Sequence, residues 1–106
     1  MKVLIIEDNP DHADLARLAL DPHFEVCLLE SGKDALLYLE GLARDARPAA
    51  ILLDYSLPGM DGLTVFERIM EQGYDIPVIM VTGHGNERIA VEAMKKGAYD
   101  YVVKSG

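Results

Sequence analysis

Apolar residues fall along this chain in two alternating rhythms. Short runs rich in Leu, Ile and Val predict five β-strands, at residues 2–6, 24–29, 49–53, 77–81 and 101–103. Three of these runs are unbroken: Val3-Leu4-Ile5-Ile6, Ile51-Leu52-Leu53 and Val78-Ile79-Met80-Val81. A strand covered on one face alternates apolar with polar residues, whereas one covered on both faces is apolar throughout. These runs are therefore the central strands of a parallel sheet.

Between the strands the spacing lengthens to three and four residues, the period of a helix with one buried stripe. Leu15, Leu18 and Ala19 predict a first helix, and Ala35, Leu36, Leu39 and Leu42 predict a second, with Ser31 as its N-cap. Leu63, Phe66, Ile69 and Met70 mark a third, which Asp61-Gly62 begins after a Pro58-Gly59 turn. A fourth runs over residues 87–96, carries Ile89, Ala90, Ala93 and Met94 on one stripe, and has Gly97 as its left-handed stop. Strand and helix alternate from end to end without a linker, which is an α/β rhythm in one domain. Crossovers in such sheets are right-handed, so the expected fold is doubly wound, with ligands gathered at the carboxyl ends of the strands.

Composition narrows the function. The 106 residues make about one domain and leave no room for a second catalytic or nucleic-acid-binding module. Half of them are hydrophobic, enough for a real core. Eighteen acidic residues against ten basic ones give a net charge of -8, which repels phosphate backbones and anionic membrane surfaces and favours a cation as partner. The single cysteine, Cys27, has no internal disulfide partner and reads as a small buried hydrophobe. No apolar run approaches the ~20 residues of a membrane-spanning helix, and no signal-peptide core follows Met1, so the expected location is the cytoplasm.

The residues that follow the apolar runs converge chemically. They are Glu7 and Asp8 after the first, Asp54 after the third, Thr82 after the fourth and Lys104 after the fifth. Any one of them alone is simply the polar end of a strand; the set is harder to dismiss. Carboxylates crowded at one sheet edge repel one another unless a cation neutralises them. Oxygen ligands without cysteine or paired histidines favour Mg²⁺, which keeps waters and uses only one or two carboxylates. Beside such an ion Asp54 is a carboxylate nucleophile for phosphorus, with Lys104 and Thr82 on the equatorial oxygens.

In this order and spacing, Leu4-Ile5-Ile6-Glu7-Asp8-Asn9, Leu53-Asp54-Tyr55-Ser56-Leu57-Pro58-Gly59-Met60-Asp61-Gly62, Val81-Thr82-Gly83 and Tyr101-Val102-Val103-Lys104 resemble the receiver domains of two-component response regulators over essentially the whole chain. The resemblance implies a flavodoxin-like five-stranded parallel sheet of order 2-1-3-4-5. It implies that Asp54 takes a phosphoryl group from a sensor histidine kinase or histidine phosphotransfer protein. It further implies that Asp8 and Asp54 bind Mg²⁺ directly, that Glu7 acts through water, and that the Ser56 carbonyl completes the ligand set. Thr82 and Lys104 would contact the phosphoryl group, and Tyr101 would change rotamer as Thr82 moves. Without the resemblance Tyr101 is a half-exposed strand residue. Gly83, by its small size, would admit the donor imidazole, and Ser56 and His84 would tune access of the hydrolytic water. On its own, His84 is a solvated loop histidine, and His12 and His23 are surface candidates.

Two departures from the family pattern matter. Ser105 follows Lys104 where the family usually has a cis proline, and a non-proline cis bond costs ~3 kcal/mol. The family's fifth helix also lies beyond Gly106, which predicts that the sheet face near Ile5 and Val102 is open to solvent. The expectation is therefore a receiver domain over 1–106, cut before its last helix and any output region, or else a short form that covers the gap by dimerising or domain swapping.

The competing function is a pseudo-receiver, a module that docks a partner without phosphorylation. The complete set of Asp8, Asp54, Thr82 and Lys104 weighs against it. A turnover phosphohydrolase of the aspartyl-phosphate kind needs a second aspartate two places after the nucleophile, where Ser56 stands. Flavin binding lacks a phosphate loop, because the first strand leads into an acidic pair.

Overall fold

The computed structural model of the chain describes residues 1–12, 24–83 and 85–103. The expected first helix at Leu15, Leu18 and Ala19 lies outside these residues, as do His23, His84, Lys104 and Ser105.

Five strands form one parallel sheet: β1 (Lys2–Ile6), β2 (Glu25–Leu29), β3 (Ala50–Asp54), β4 (Val78–Thr82) and β5 (Asp100–Val103), in the order β2-β1-β3-β4-β5. The three unbroken apolar runs are the three interior strands, as burial on both faces requires. The described helices are α1 (Gly32–Glu40), α2 (Gly62–Glu71) and α3 (Glu87–Lys95), with a 3₁₀ turn at Arg44–Ala46. Ser31 caps α1 by accepting the Asp34 amide at 3.1 Å, and Asp61 caps α2 by accepting the Thr64 amide at 2.8 Å. α3 ends at Gly97, whose φ of 110° is the left-handed stop predicted for it.

One face of the sheet builds the main core. Leu4 and Ile6, Ile51 and Leu53, and Val78 and Met80 stand on alternate positions of β1, β3 and β4 and pack against Ala35 and Leu39 of α1 and Val65, Phe66 and Ile69 of α2. Phe66 is fully buried.

The other face is graded. Ile5 is 3% exposed, Leu52, Ile79 and Val81 are half-buried, and Val102 is 51% exposed. The expectation of an open face is thus right for Val102 and wrong for Ile5. Val102 lies on an edge strand, whereas Ile5 is covered over its face as well as flanked within the sheet. Cys27 is likewise half-buried instead of fully buried, because β2 is the opposite edge strand.

Strand ends differ from the periodicity by one residue. Asp54 and Thr82 are the last residues of β3 and β4, since the parallel register carries Asp54 opposite Val81 and Thr82 opposite Val103. The ladder of backbone hydrogen bonds does not stop at the first polar side chain.

Candidate phospho-acceptor site

Parallel strands bring their carboxyl ends to one edge, and of the predicted site residues Glu7, Asp8, Asp54 and Thr82 stand there. Glu7 and Asp54 are buried at 5% and 3% exposure, while Asp8 is exposed. Carboxylate oxygens of Glu7, Asp8 and Asp54 all lie within 4.8 Å of one another. Three negative groups at that spacing repel strongly, and more so where two are shielded from water. The donor set is all oxygen and its outer member is open to solvent, which fits a hard divalent ion that keeps part of its hydration shell.

Local backbone geometry holds the acids in place. The Ser56 amide donates to Asp54 Oδ1 at 3.2 Å, which draws the chain after β3 into a turn and brings Ser56 beside the carboxylate. The Asn9 amide donates to Glu7 Oε1 at 3.1 Å, and Asn9 Oδ1 accepts the Asp11 amide at 2.9 Å, so the segment after β1 folds back on Glu7.

Thr82 is fully buried beside this cluster at the end of β4, and its Oγ1 makes no hydrogen bond. Buried hydroxyls are ordinarily paired, and leaving one unpaired costs about 1–3 kcal/mol. An orphan hydroxyl at the mouth of an acidic site is suited to an oxyanion held next to Asp54. Gly83 follows it and is half-buried, with only the Asn86 side chain among the described residues, at 3.9 Å, near the position a Cβ would take. Tyr101, 37% exposed on edge strand β5, stands opposite Met80 and on the same sheet face as Thr82.

Two residues at the site were not singled out from the sequence. His12, read as a surface residue, places Nδ1 3.7 Å from Glu7 Oε1. Gly62 packs against the backbone of Asp54 and Tyr55 and donates its amide to the Tyr55 carbonyl at 2.7 Å. The Asp61-Gly62 pair at a fixed offset from Asp54 was the available signal for it. His12 carried none, because its approach to Glu7 depends on the turn at Asn9.

A parallel sheet of order 2-1-3-4-5 with a carboxylate cluster and a threonine at its carboxyl edge defines a receiver domain. The chain belongs to the response regulator receiver domain family, whose sequence profile matches residues 3–106. It is 35% identical over 104 residues to the C4-dicarboxylate transport transcriptional regulatory protein DctD of Pseudomonas aeruginosa, covering 97% of this chain and 22% of that relative. The chain thus spans about a fifth of the length of that regulator. The receiver domain of NtrX from Brucella abortus superposes with a TM-score of 0.85 at 34% identity, covering 98% of this chain and 86% of that one. The Mn(2+)-bound form of response regulator Rcp1 superposes with a TM-score of 0.83 at 29% identity, covering 98% of this chain and 81% of that one. Among the described residues no helix is long and apolar enough to cross a membrane.

Proposed function

We propose that Asp54 accepts a phosphoryl group from the phosphohistidine of a sensor histidine kinase or histidine phosphotransfer protein, and that the resulting aspartyl phosphate switches the domain's conformation. One observation carries the reading. The buried Asp54 carboxylate lies within a cluster of oxygen ligands, and the fully buried Thr82 nearby has a hydroxyl without a partner. An Asp54 oxygen forms the bond to phosphorus as the donor imidazole nitrogen leaves.

Glu7, Asp8, Asp54 and the Ser56 carbonyl are the residues that would hold Mg²⁺, with Glu7 acting through water. The ion, when bound, offsets the negative charge shared by the acids and the phosphoryl group. Family membership supports a divalent ion here, and the similar response regulator Rcp1 has an Mn(2+)-bound form.

Thr82 Oγ1 donates to a phosphoryl oxygen, and Lys104 neutralises a second one. As Thr82 is drawn toward the phosphate, Tyr101 turns inward from its exposed position on β5, a two-state element biased by a local charge. Gly83 leaves room for the incoming imidazole, and Ser56 and His84 tune access of the hydrolytic water.

Intact-mass spectrometry after exposure to acetyl phosphate, with and without Mg²⁺, tests the reading. A metal-dependent phosphate adduct supports it. A folded sample that gains no adduct favours a receiver that docks its partner without phosphorylation.

A further inference from the structure

A second site lies at the opposite edge of the sheet, where β3 and β4 begin. Five-residue strands rising ~3.3 Å per residue separate it from Asp54 by roughly 15 Å. There a cavity of about 370 Å³ opens between residues 44–48 and 73–76, lined by Arg44, Arg47, Pro48, Gly73, Asp75 and Ile76. That volume is at the lower end of the range for small-molecule sites.

Arg47 is held in an unusual way. The Arg47 guanidinium lies over the Tyr74 ring, 4.9 Å from its centroid, which fixes the plane of the fork. Its Nε is buried and makes no hydrogen bond. Ion pairs among the described residues join His12 to Glu7 and Lys96 to Glu67 and Glu92, and none within 4.0 Å engages Arg44, Arg47 or Asp75. In a chain of net charge -8, carboxylates are plentiful, so two guanidinium groups sharing one cavity without a carboxylate partner are a distinctive arrangement.

We propose that this cavity binds a small organic oxyanion, a carboxylate or a phosphate, that also carries a hydroxyl or ammonium donor. The terminal N–H groups of a guanidinium fork grip an oxyanion through parallel bonds, and such a ligand supplies the acceptors that no described carboxylate of the protein provides. Arg44 adds the second positive charge. Asp75, exposed on the facing segment, accepts from the ligand's hydroxyl or ammonium group. The inference stands apart from the phospho-acceptor reading, because no residue is shared between the two sites.

Nuclear magnetic resonance of the chain, following the arginine Nε–H signals and the backbone amides, tests the proposal with L-malate and with inorganic phosphate at matched ionic strength. The expected result is a saturable shift at Arg44, Arg47 and residues 73–76 with at least one of the two probes, and the probe that saturates identifies the headgroup. Arg47→Lys keeps the charge but loses the fork and is expected to weaken binding by about tenfold. Arg44→Gln changes an exposed residue, leaves the fold intact and weakens binding as well. Shifts that follow ionic strength alone, that fail to saturate with both probes, or that survive both substitutions would overturn it.

Discussion

Gly62 touches the backbone of Asp54 so closely that no side chain fits between them. A Cβ at Gly62 would collide with the Asp54 carbonyl oxygen and lie 2.5 Å from Tyr55 Cα. The first turn of α2 is thereby pressed against the end of β3, and the Gly62 amide fastens it to the Tyr55 carbonyl at 2.7 Å. Gly62→Ala must push backbone, not a flexible side chain, and is expected to cost about 1–3 kcal/mol in urea unfolding. Because the displaced atoms belong to Asp54 and Tyr55, phosphorylation should slow as well. A variant as stable and as reactive as the parent would show that α2 can shift without moving Asp54.

Thr82→Val removes a buried hydroxyl that has no partner, so stability should hold or rise slightly. Its effect should fall on the chemistry. Losing one donor to a charged oxygen should lower the phosphorylation rate by roughly 10- to 100-fold, whereas Thr82→Ser should retain most of the rate. Rates from acetyl phosphate, read beside thermal unfolding of each variant, separate the two effects.

Asp8 is the exposed member of the acidic cluster, and Glu7 and Asp54 are the buried ones. Asp8→Asn should therefore leave the metal-free fold unchanged or slightly more stable, since it relieves repulsion among like charges. It should also abolish most of the rise in unfolding temperature on adding Mg²⁺, because ligand stabilisation follows affinity. An equal rise in parent and variant would place the ion elsewhere.

Burial raises the Tyr38 phenol above its ordinary value of 10.0, and a hydrogen bond with the Cys27 thiol adds to the shift. A group whose pKa is higher when folded contributes stability that is complete below its unfolded value and is lost as pH rises through the folded one. The loss therefore begins only above about pH 10. Tyr38→Phe cannot ionise and should unfold at higher alkaline pH than the parent. A lower alkaline midpoint would contradict the assigned burial.

Much of this architecture is legible in the sequence because strand and helix write different periods. Val3 to Ile6 and Val78 to Val81 are apolar at every position, and both runs became interior strands. The placement of the candidate site was legible for a related reason. Asp54 and Thr82 interrupt apolar runs, and a polar residue at that point lies at a sheet edge. Where periodicity misled, tertiary context had intervened. Cys27 sits in an apolar run but on an edge strand, so neighbours cover it only partly. Gly62 has no side chain to enter any pattern, and its importance comes from what passes beside it. His12 reaches Glu7 only because Asn9 folds the chain back after β1.

A phosphoryl group carried by Asp54 can be located chemically. Borohydride reduction after acetyl phosphate treatment converts an aspartyl phosphate to homoserine, and peptide mapping locates the converted residue. Conversion at position 54 alone, dependent on Mg²⁺ and abolished in Asp54→Asn, is the predicted result. Conversion at Asp8 or another acid, or phosphate retained on a histidine, would contradict it.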